Sequence, residues 1–377
     1  MNLFSWDRFV AVMVKEFVQM RRDRLTFAMM VGIPIIQLIL FGFAINSDPK
    51  GLPTVVLSAD NSVFARTFVR AMENSGYFKI VRHAASEADA EHALAVGEVQ
   101  FALTIPENFG RKLVRGERPV LLLEADATDP AATSNALAAL VSLNQTALAR
   151  DLAGSLAHLS GPPPPFEVRV HRRYNPEGVT QYNIVPGLIG VVLTMTMIMM
   201  TSLAMTRERE RGTMENLLAT PVRPIEVMAG KIVPYIIVGY VQVTIILLVA
   251  RLLFSVPIVG SLVLLSVVLI LFIAANLSVG FTFSTLAKNQ MQAMQMTFFF
   301  FLPSMLLSGF MFPFRGMPQW AQWLGEILPL THFLRIVRGI LLKGNNVAEI
   351  LPNVWPIAAF LLVAAVIALG RYRETLD

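Results

Sequence analysis

Arginine and glutamate alternate from Arg207 to Arg211, and the segment they open, RERERGTMENLLATPVRPIEVMAGK to Lys231, holds nine charged residues. Carboxylates and guanidiniums at this density can form charge-assisted hydrogen bonds with a partner surface, roughly twice as strong as neutral ones. Glu208, Arg209, Glu210 and Arg211 are the groups placed to do so. Gly212 permits a sharp change of direction, and Thr213 can cap a short helix that includes Glu215. Pro221 ends that helix. The chemistry on offer is recognition.

No catalytic constellation accompanies it. Gly339 and Gly344 have the glycine spacing of a phosphate-cradling loop, but Asn345 stands where its lysine must be. HExxH and GxSxG are missing, the five histidines are scattered, and there is no cysteine. Disulfides, thiolate metal sites and thiol catalysis are thereby excluded. Met195, Met197, Met199, Met200 and Met205 offer thioethers, a ligand type that suits Cu(I). They spread around a helix without histidine or cysteine companions, so packing or an adaptable apolar lining accounts for them better. No metal site is expected, and the chain does not hydrolyse ATP itself.

The elements that must position the charged segment are apolar. The chain is 55% hydrophobic and 15% charged, and the 24 residues Tyr182–Met205 just before the segment carry no charge. A bilayer core of about 30 Å needs roughly 20 apolar helical residues. Spans are predicted at 25–46, 182–205, 232–254, 261–287, 291–314 and 354–370, the last the shortest. Lysines and arginines flank them unevenly. The N-terminal 24 residues carry Arg8, Lys15, Arg21, Arg22 and Arg24, the charged segment carries five more, and Lys288, Arg371 and Arg373 follow. Six spans put all of these on one side, the cytoplasm by the positive-inside rule. The net charge of +5 belongs to these flanks and does not suggest nucleic-acid binding. The first apolar run is too long for a signal-peptide core and lacks a small-residue cleavage site, so it reads as a retained span.

Residues 1–24 place Phe4, Phe9, Val10, Met13, Val14 and Phe17 at helical spacing, which predicts an amphipathic helix in the cytoplasmic interface. Residues 47–181 alternate strand-like runs (TVVLSAD, YFKIVR, VQFALTI, PVLLLEA) with helical ones, the pattern of an α/β domain. Asn61 or Ser62, and Ser86, stand where helix caps belong. Between 315 and 345, Trp320 and Trp323 suit a membrane interface, and Pro318 and Pro329 break the chain into short pieces. A re-entrant or interfacial hairpin on the external side is expected there. The full division is therefore an interfacial helix (1–24), a span (25–46), the α/β domain (47–181), a span (182–205), the charged loop (206–231), three spans (232–254, 261–287, 291–314), the re-entrant region (315–345), a last span (354–370) and a cytoplasmic tail (371–377). The fold class is a mainly α-helical polytopic membrane protein of six transmembrane helices with an inserted α/β extracytoplasmic domain.

The loop RERERGTMENLLATPVRP followed by GK, and the later LPSMLLSGFMFP with MPQW after it, resemble the permease subunit of ABC-2-type transporters. The layout of one span, a large external domain and five more spans is similar to a bacterial multidrug-exporter-like group within that family. The resemblance covers essentially the whole chain. It implies that the loop after the second span touches a separate cytoplasmic ATPase, with Glu208, Arg209, Arg211, Gly212, Thr213 and Glu215 as the contact and Lys15 and Glu16 as weaker candidates. It also implies ATP and magnesium bound by that partner with no cofactor in this chain, a second permease copy in a homo- or heterodimer, a periplasmic adaptor, and residence among the lipids of a bacterial inner membrane with both termini cytoplasmic.

Polar residues within the spans are candidates for a substrate pathway: Gln37, Gln242, Asn276, Gln292, Gln295 and Ser304. Ordinary interhelical hydrogen bonds, worth about 1 kcal/mol in membranes, are the competing explanation for each. No span carries a charge near its middle, which argues against a proton relay. Pro303 and Gly309 mark a possible hinge. The expected function is export of an amphipathic or apolar, drug-like compound driven by the partner's ATP hydrolysis. The alternatives are a permease for lipid or lipid-linked glycan, a membrane-anchored sensor whose α/β domain binds a ligand, and an ATP-independent channel or carrier.

Overall fold

The computed structural model describes residues 49–159, 163–210 and 224–371. The interfacial helix expected at 1–24, the span expected at 25–46 and the tail after 371 lie outside them, as does the charged loop from Arg211 to Arg223.

Strand-forming runs rich in valine, leucine and phenylalanine build a five-stranded sheet in the order β2-β1-β3-β4-β5. The strands are β1 (Leu52–Ser58), β2 (Phe78–His83), β3 (Phe101–Ile105), β4 (Val120–Asp126) and β5 (Glu167–Arg173). β1 runs parallel to β2 and β3, β3 is antiparallel to β4, and β4 is parallel to β5. The connecting helices are α1 (Val63–Asn74), α2 (Glu87–Ala95), α3 (Phe109–Val114) and α4 (Pro130–Thr146). Their starts follow from side-chain caps: Ser62 Oγ accepts from Ala65 N at 3.3 Å, Ser86 Oγ from Asp89 N at 3.2 Å, and Asp129 Oδ1 from Ala131 N at 3.1 Å. Phe68, Phe109 and Leu140 from α1, α3 and α4 meet Phe101 and Leu123 on one face of the sheet. Phe166 meets Phe68 edge to face, with centroids 5.2 Å apart. On the other face α2 packs through Ala90, Ala93 and Leu94 against Val55 and Ala102.

The rest of the described chain is helical: α5 (Thr180–Glu210), α6 (Pro224–Phe254), α7 (Leu262–Leu286), α8 (Gln290–Leu307), α9 (Gln319–Ile327), α10 (Pro329–Arg338), a π-helical turn (Gly339–Lys343) and α11 (Val347–Arg371). Four helices among the described residues are long and apolar enough to cross a membrane, at Thr180–Arg207, Pro234–Phe254, Leu262–Leu286 and Val347–Ala368. α8 falls short of that standard and ends earlier than the span expected at 291–314. Gln290, Gln292 and Gln295 dilute its first turns. At its other end Gly309 takes a φ of 79°, which no right-handed helix accommodates, so the apolar residues after it lie in a turn. The breaks at Pro318 and Pro329 start α9 and α10, where the missing proline N–H costs no helical bond.

Burial sorts the long helices into inner and outer. In the most apolar stretch of α5, 61% of residues are buried and in α7 56%, against 17% for α6 and 11% for α11. α5 and α7 approach closely at Gly280, where an added Cβ would stand 2.8 Å from the Ile198 carbonyl oxygen. Small residues at such crossings let helices pack without a hydrophobic drive from water. The outer helices present Leu252, Leu253, Leu362 and Val366 to their surroundings. An apolar surface of this extent is stable against lipid or another chain, not against water.

Candidate functional site

The charged segment begins on the last turn of α5, where Arg207 and Glu210 project beyond the apolar stretch. Glu210 is bound within the chain: its carboxylate accepts from Gln290 N at 2.8 Å and from the Gln290 side-chain amide. Arg207 Nε donates to Gln290 Oε1 at 3.4 Å. The side-chain bond from Gln290, then the backbone bond, hold the Glu210 carboxyl below the usual range. Asn289 caps α8 at the same place, its Oδ1 accepting from Gln292 N at 2.8 Å. The root of the loop is thus tied to the first turn of α8. Glu208 and Arg209 ride on the backbone of α5, and their side chains lie outside the described residues. So do Arg211, Gly212, Thr213 and Glu215, together with Lys15, Glu16 and Gln37.

The other polar candidates are placed one by one. Gln242 joins α6 to α5, its Oε1 accepting from Thr196 Oγ1 at 3.0 Å. Gln292 Oε1 accepts from Lys288 N at 2.8 Å and so helps close the start of α8. Ser304 donates to the Phe300 carbonyl at 2.7 Å, within its own helix. Asn276 donates to the Phe272 carbonyl at 2.9 Å, while its fully buried Oδ1 has no partner among the described residues. Gln295 Oε1 is likewise unpartnered. Pro303 sits inside a continuous α8, and Gly309 lies beyond the helix in the turn toward α9.

At the opposite end from Glu210, the α/β domain meets the short helices. Lys343 Nζ pairs with Asp126 Oδ2 at 2.6 Å, both side chains 8% exposed, and donates to the Leu94 carbonyl at 3.0 Å. Asn345 Nδ2 donates to the Ala95 carbonyl at 3.0 Å, and Arg315 to that of Gly97 at 2.8 Å. The α6–α7 loop joins in through Val259 N and Gly260 N, each 3.0 Å from the carbonyls of Leu341 and Ile340. Arg338 donates to the Asn183 carbonyl of α5 at 3.3 Å and to that of Gly309 at 3.2 Å. Asn183 in turn donates to Asp129 Oδ1 at 3.2 Å. One set of bonds therefore ties the domain, α5, the end of α8 and α10 together. Arg335 grips Glu326 through two bonds of 2.6 and 3.0 Å. Burial works to raise the Glu326 carboxyl, and the Arg335 contact brings it below its ordinary value.

A cavity of about 700 Å³ opens at this joint. Its walls mix charge with apolar surface, from Asp126, Asp129 and Arg338 to Phe314 and Trp355. Burial raises the Asp129 carboxyl and lowers the guanidiniums of Arg315 and Arg338. Lys343, Asp126, Asp129 and Gln290 leave no signal in the sequence, because their partners lie far away in the chain. Among the described residues no cluster of histidine, aspartate and glutamate could hold a metal ion.

Residues 24–369 match the family described as ABC-2 family transporter protein. The probable multidrug ABC transporter permease YbhS of Escherichia coli K12 is 30% identical over 379 residues, spanning 98% of this chain and 96% of that one. The probable multidrug ABC transporter permease YbhR of the same organism is 28% identical over 362 residues, 96% of each chain. ABC transporter G family member 20 of Dictyostelium discoideum is 26% identical over 384 residues, which take in 97% of this chain and 51% of that protein.

Proposed function

From the premise that this chain belongs to the ABC-2 family of transporter proteins, we propose that it is the permease of an exporter that moves an amphipathic or apolar, drug-like compound out across a bacterial inner membrane. As a member of that family it is a transport component and not itself an enzyme. It carries no cofactor, and nucleotide is bound by the separate ATPase. The family implies that ATPase and a permease dimer. In the proposed arrangement six spans cross the membrane, the α/β domain lies outside, and both termini face the cytoplasm. The charged loop receives the ATPase through Glu208, Arg209, Arg211, Gly212, Thr213 and Glu215, with Lys15 and Glu16 beside it. The outer domain docks an adaptor or guards the exit.

The observation that carries the reading is the tie between Glu210 and Gln290. It joins the root of the loop to the start of α8, so a displacement of the loop by a partner acts on two membrane helices at once. ATP can bias transport only if the partner's grip on the loop differs between the inward- and outward-open states. Glu208, Arg211 and Glu215 together replaced by alanine should leave the protein inserted while abolishing export and ATPase co-purification. Export and co-purification that both survive the triple change would show that energy enters elsewhere.

A further inference from the structure

The cavity at the joint holds an imbalance that its internal pairing leaves open. Its lining includes the carboxylates of Glu98, Asp126, Asp129, Glu326 and Glu349, and the basic groups of Arg315, Arg335, Arg338 and Lys343. Two of the basic groups are neutralised at contact distance, Lys343 by Asp126 at 2.6 Å and Arg335 by Glu326 at 2.6 Å. Most of the remaining carboxylates are also engaged. Glu98 accepts from Arg82 at 2.9 Å, Glu349 from Asn346 N at 2.7 Å, and Asp129 from Ala131 N and Asn183. Arg315 and Arg338 differ from all of these. Among the described residues their donors reach only backbone carbonyls, those of Gly97, Glu98, Asn183 and Gly309. A carbonyl satisfies a hydrogen bond without neutralising the charge, and the carboxylates of Asp126, Asp129 and Glu326 act on these two guanidiniums only from beyond contact distance.

Part of the lining is apolar. Phe314, Ile350, Pro352, Trp355 and Pro356 supply it, and Trp355 is also exposed at the side of α11. α11 is one of the membrane-length helices, so this part continues into the apolar layer. Guanidiniums without a carboxylate in contact, in a cavity whose lining is partly apolar at the edge of that layer, suit a molecule with an acidic end and an apolar body.

We propose that this cavity binds the anionic headgroup of an amphipathic ligand, a phosphate or carboxylate, with Arg315 and Arg338 supplying the charge and Phe314, Ile350 and Trp355 covering the start of its apolar chain. Arg315 keeps accessible surface, so a headgroup can reach it. That the ligand is exported cargo rests on the permease reading above; the binding does not.

The test is a titration of the full-length protein in a neutral maltoside detergent, followed by tryptophan emission. Trp355→Phe identifies the signal that belongs to the cavity. Dodecyl phosphate should bind at least about tenfold more tightly than dodecyltrimethylammonium or inorganic phosphate, the scale of one charged contact. Arg315→Gln should weaken dodecyl phosphate by about tenfold, and Arg315→Lys should keep most of the affinity. Arg338→Gln should act in the same direction, and Arg315 serves alone should the buried Arg338 variant fail to fold. Equal affinity for the two tailed compounds, or undiminished binding in Arg315→Gln, overturns the assignment. Inorganic phosphate binding as tightly as dodecyl phosphate overturns it too, since the apolar lining would then contribute nothing. ATPase co-purification measured on the same variants reports separately on the permease reading.

Discussion

Lys343 and Asp126 meet across the joint at 2.6 Å, separated by 217 positions in the chain. Removing one member of a buried ion pair leaves the other charge uncompensated, at a cost of about 3–5 kcal/mol. Asp126 keeps its bonds from Thr128 N at 3.1 Å and Thr128 Oγ1 at 2.8 Å, which moves the expected loss to the lower end. Lys343→Ala should therefore destabilise the solubilised protein by about 3 kcal/mol, read as a lowered midpoint of thermal unfolding. A double variant, Lys343→Met with Asp126→Asn, should lose less than the single one. A single variant that melts like the parent would mean that the pair is solvated and the joint is held elsewhere. At this scale the sequence disclosed the absence of catalytic chemistry, because that needs residue types that are simply not there. It did not disclose which charges pair. Glu210 read as a group for a partner protein, whereas its carboxylate is taken by Gln290, 80 positions away.

Two helix starts were legible because caps are local: Ser62 and Ser86 each accept a hydrogen bond from the first turn they precede, and Asp129, Ser261 and Asn289, which the sequence did not single out, do the same. The end of α8 was not. Hydropathy continues through the FMFP run after Gly309, and composition cannot register a backbone that has turned left-handed. The inner helices rest on close approach. At Gly280 an added Cβ would also stand 2.8 Å from Thr201 Cβ, so neither α5 nor α7 has room to yield. Gly280→Val should force the two helices apart, costing about 1–3 kcal/mol by overpacking, with lower yield of monodisperse protein in size-exclusion chromatography. Normal yield and melting in Gly280→Val would show that the crossing is loose. Hydroxyls along α5 are mostly spent on the helix itself, as Thr194 on Gly190 at 2.8 Å and Thr201 on Met197 at 2.8 Å. A polar residue in a span is therefore weak evidence for a pathway, and the pairing of Gln242 with Thr196 follows that rule.

Across the whole molecule, α5 to α8 and α11 alternate direction. Contacts near Glu210 and Gln290 gather at one end, and contacts among the α/β domain, the α6–α7 loop and the π-helical turn gather at the other. The unequal placement of lysine and arginine is a signal that sequence carries because it is additive along the chain. How the outer faces of α6 and α11 are covered is not additive in that way, since lipid and a second copy select the same apolar residues. A chain without cysteine lets topology be read cleanly. Ala85 and Lys288 are both exposed, at opposite ends of the molecule. In intact cells Ala85→Cys should react with a membrane-impermeant maleimide and Lys288→Cys only after the membrane is opened. The reverse pattern would invert the orientation.

The central claim is that this chain passes a compound across the membrane using energy it receives from another protein. Its most direct test is transport in proteoliposomes that contain this chain and the ATPase that co-purifies with it, loaded with a fluorescent amphiphile. Transport that requires ATP, magnesium and the second protein, and that disappears with Glu208, Arg211 and Glu215 replaced by alanine, is the predicted result. Transport that proceeds at the same rate without the ATPase would contradict the account.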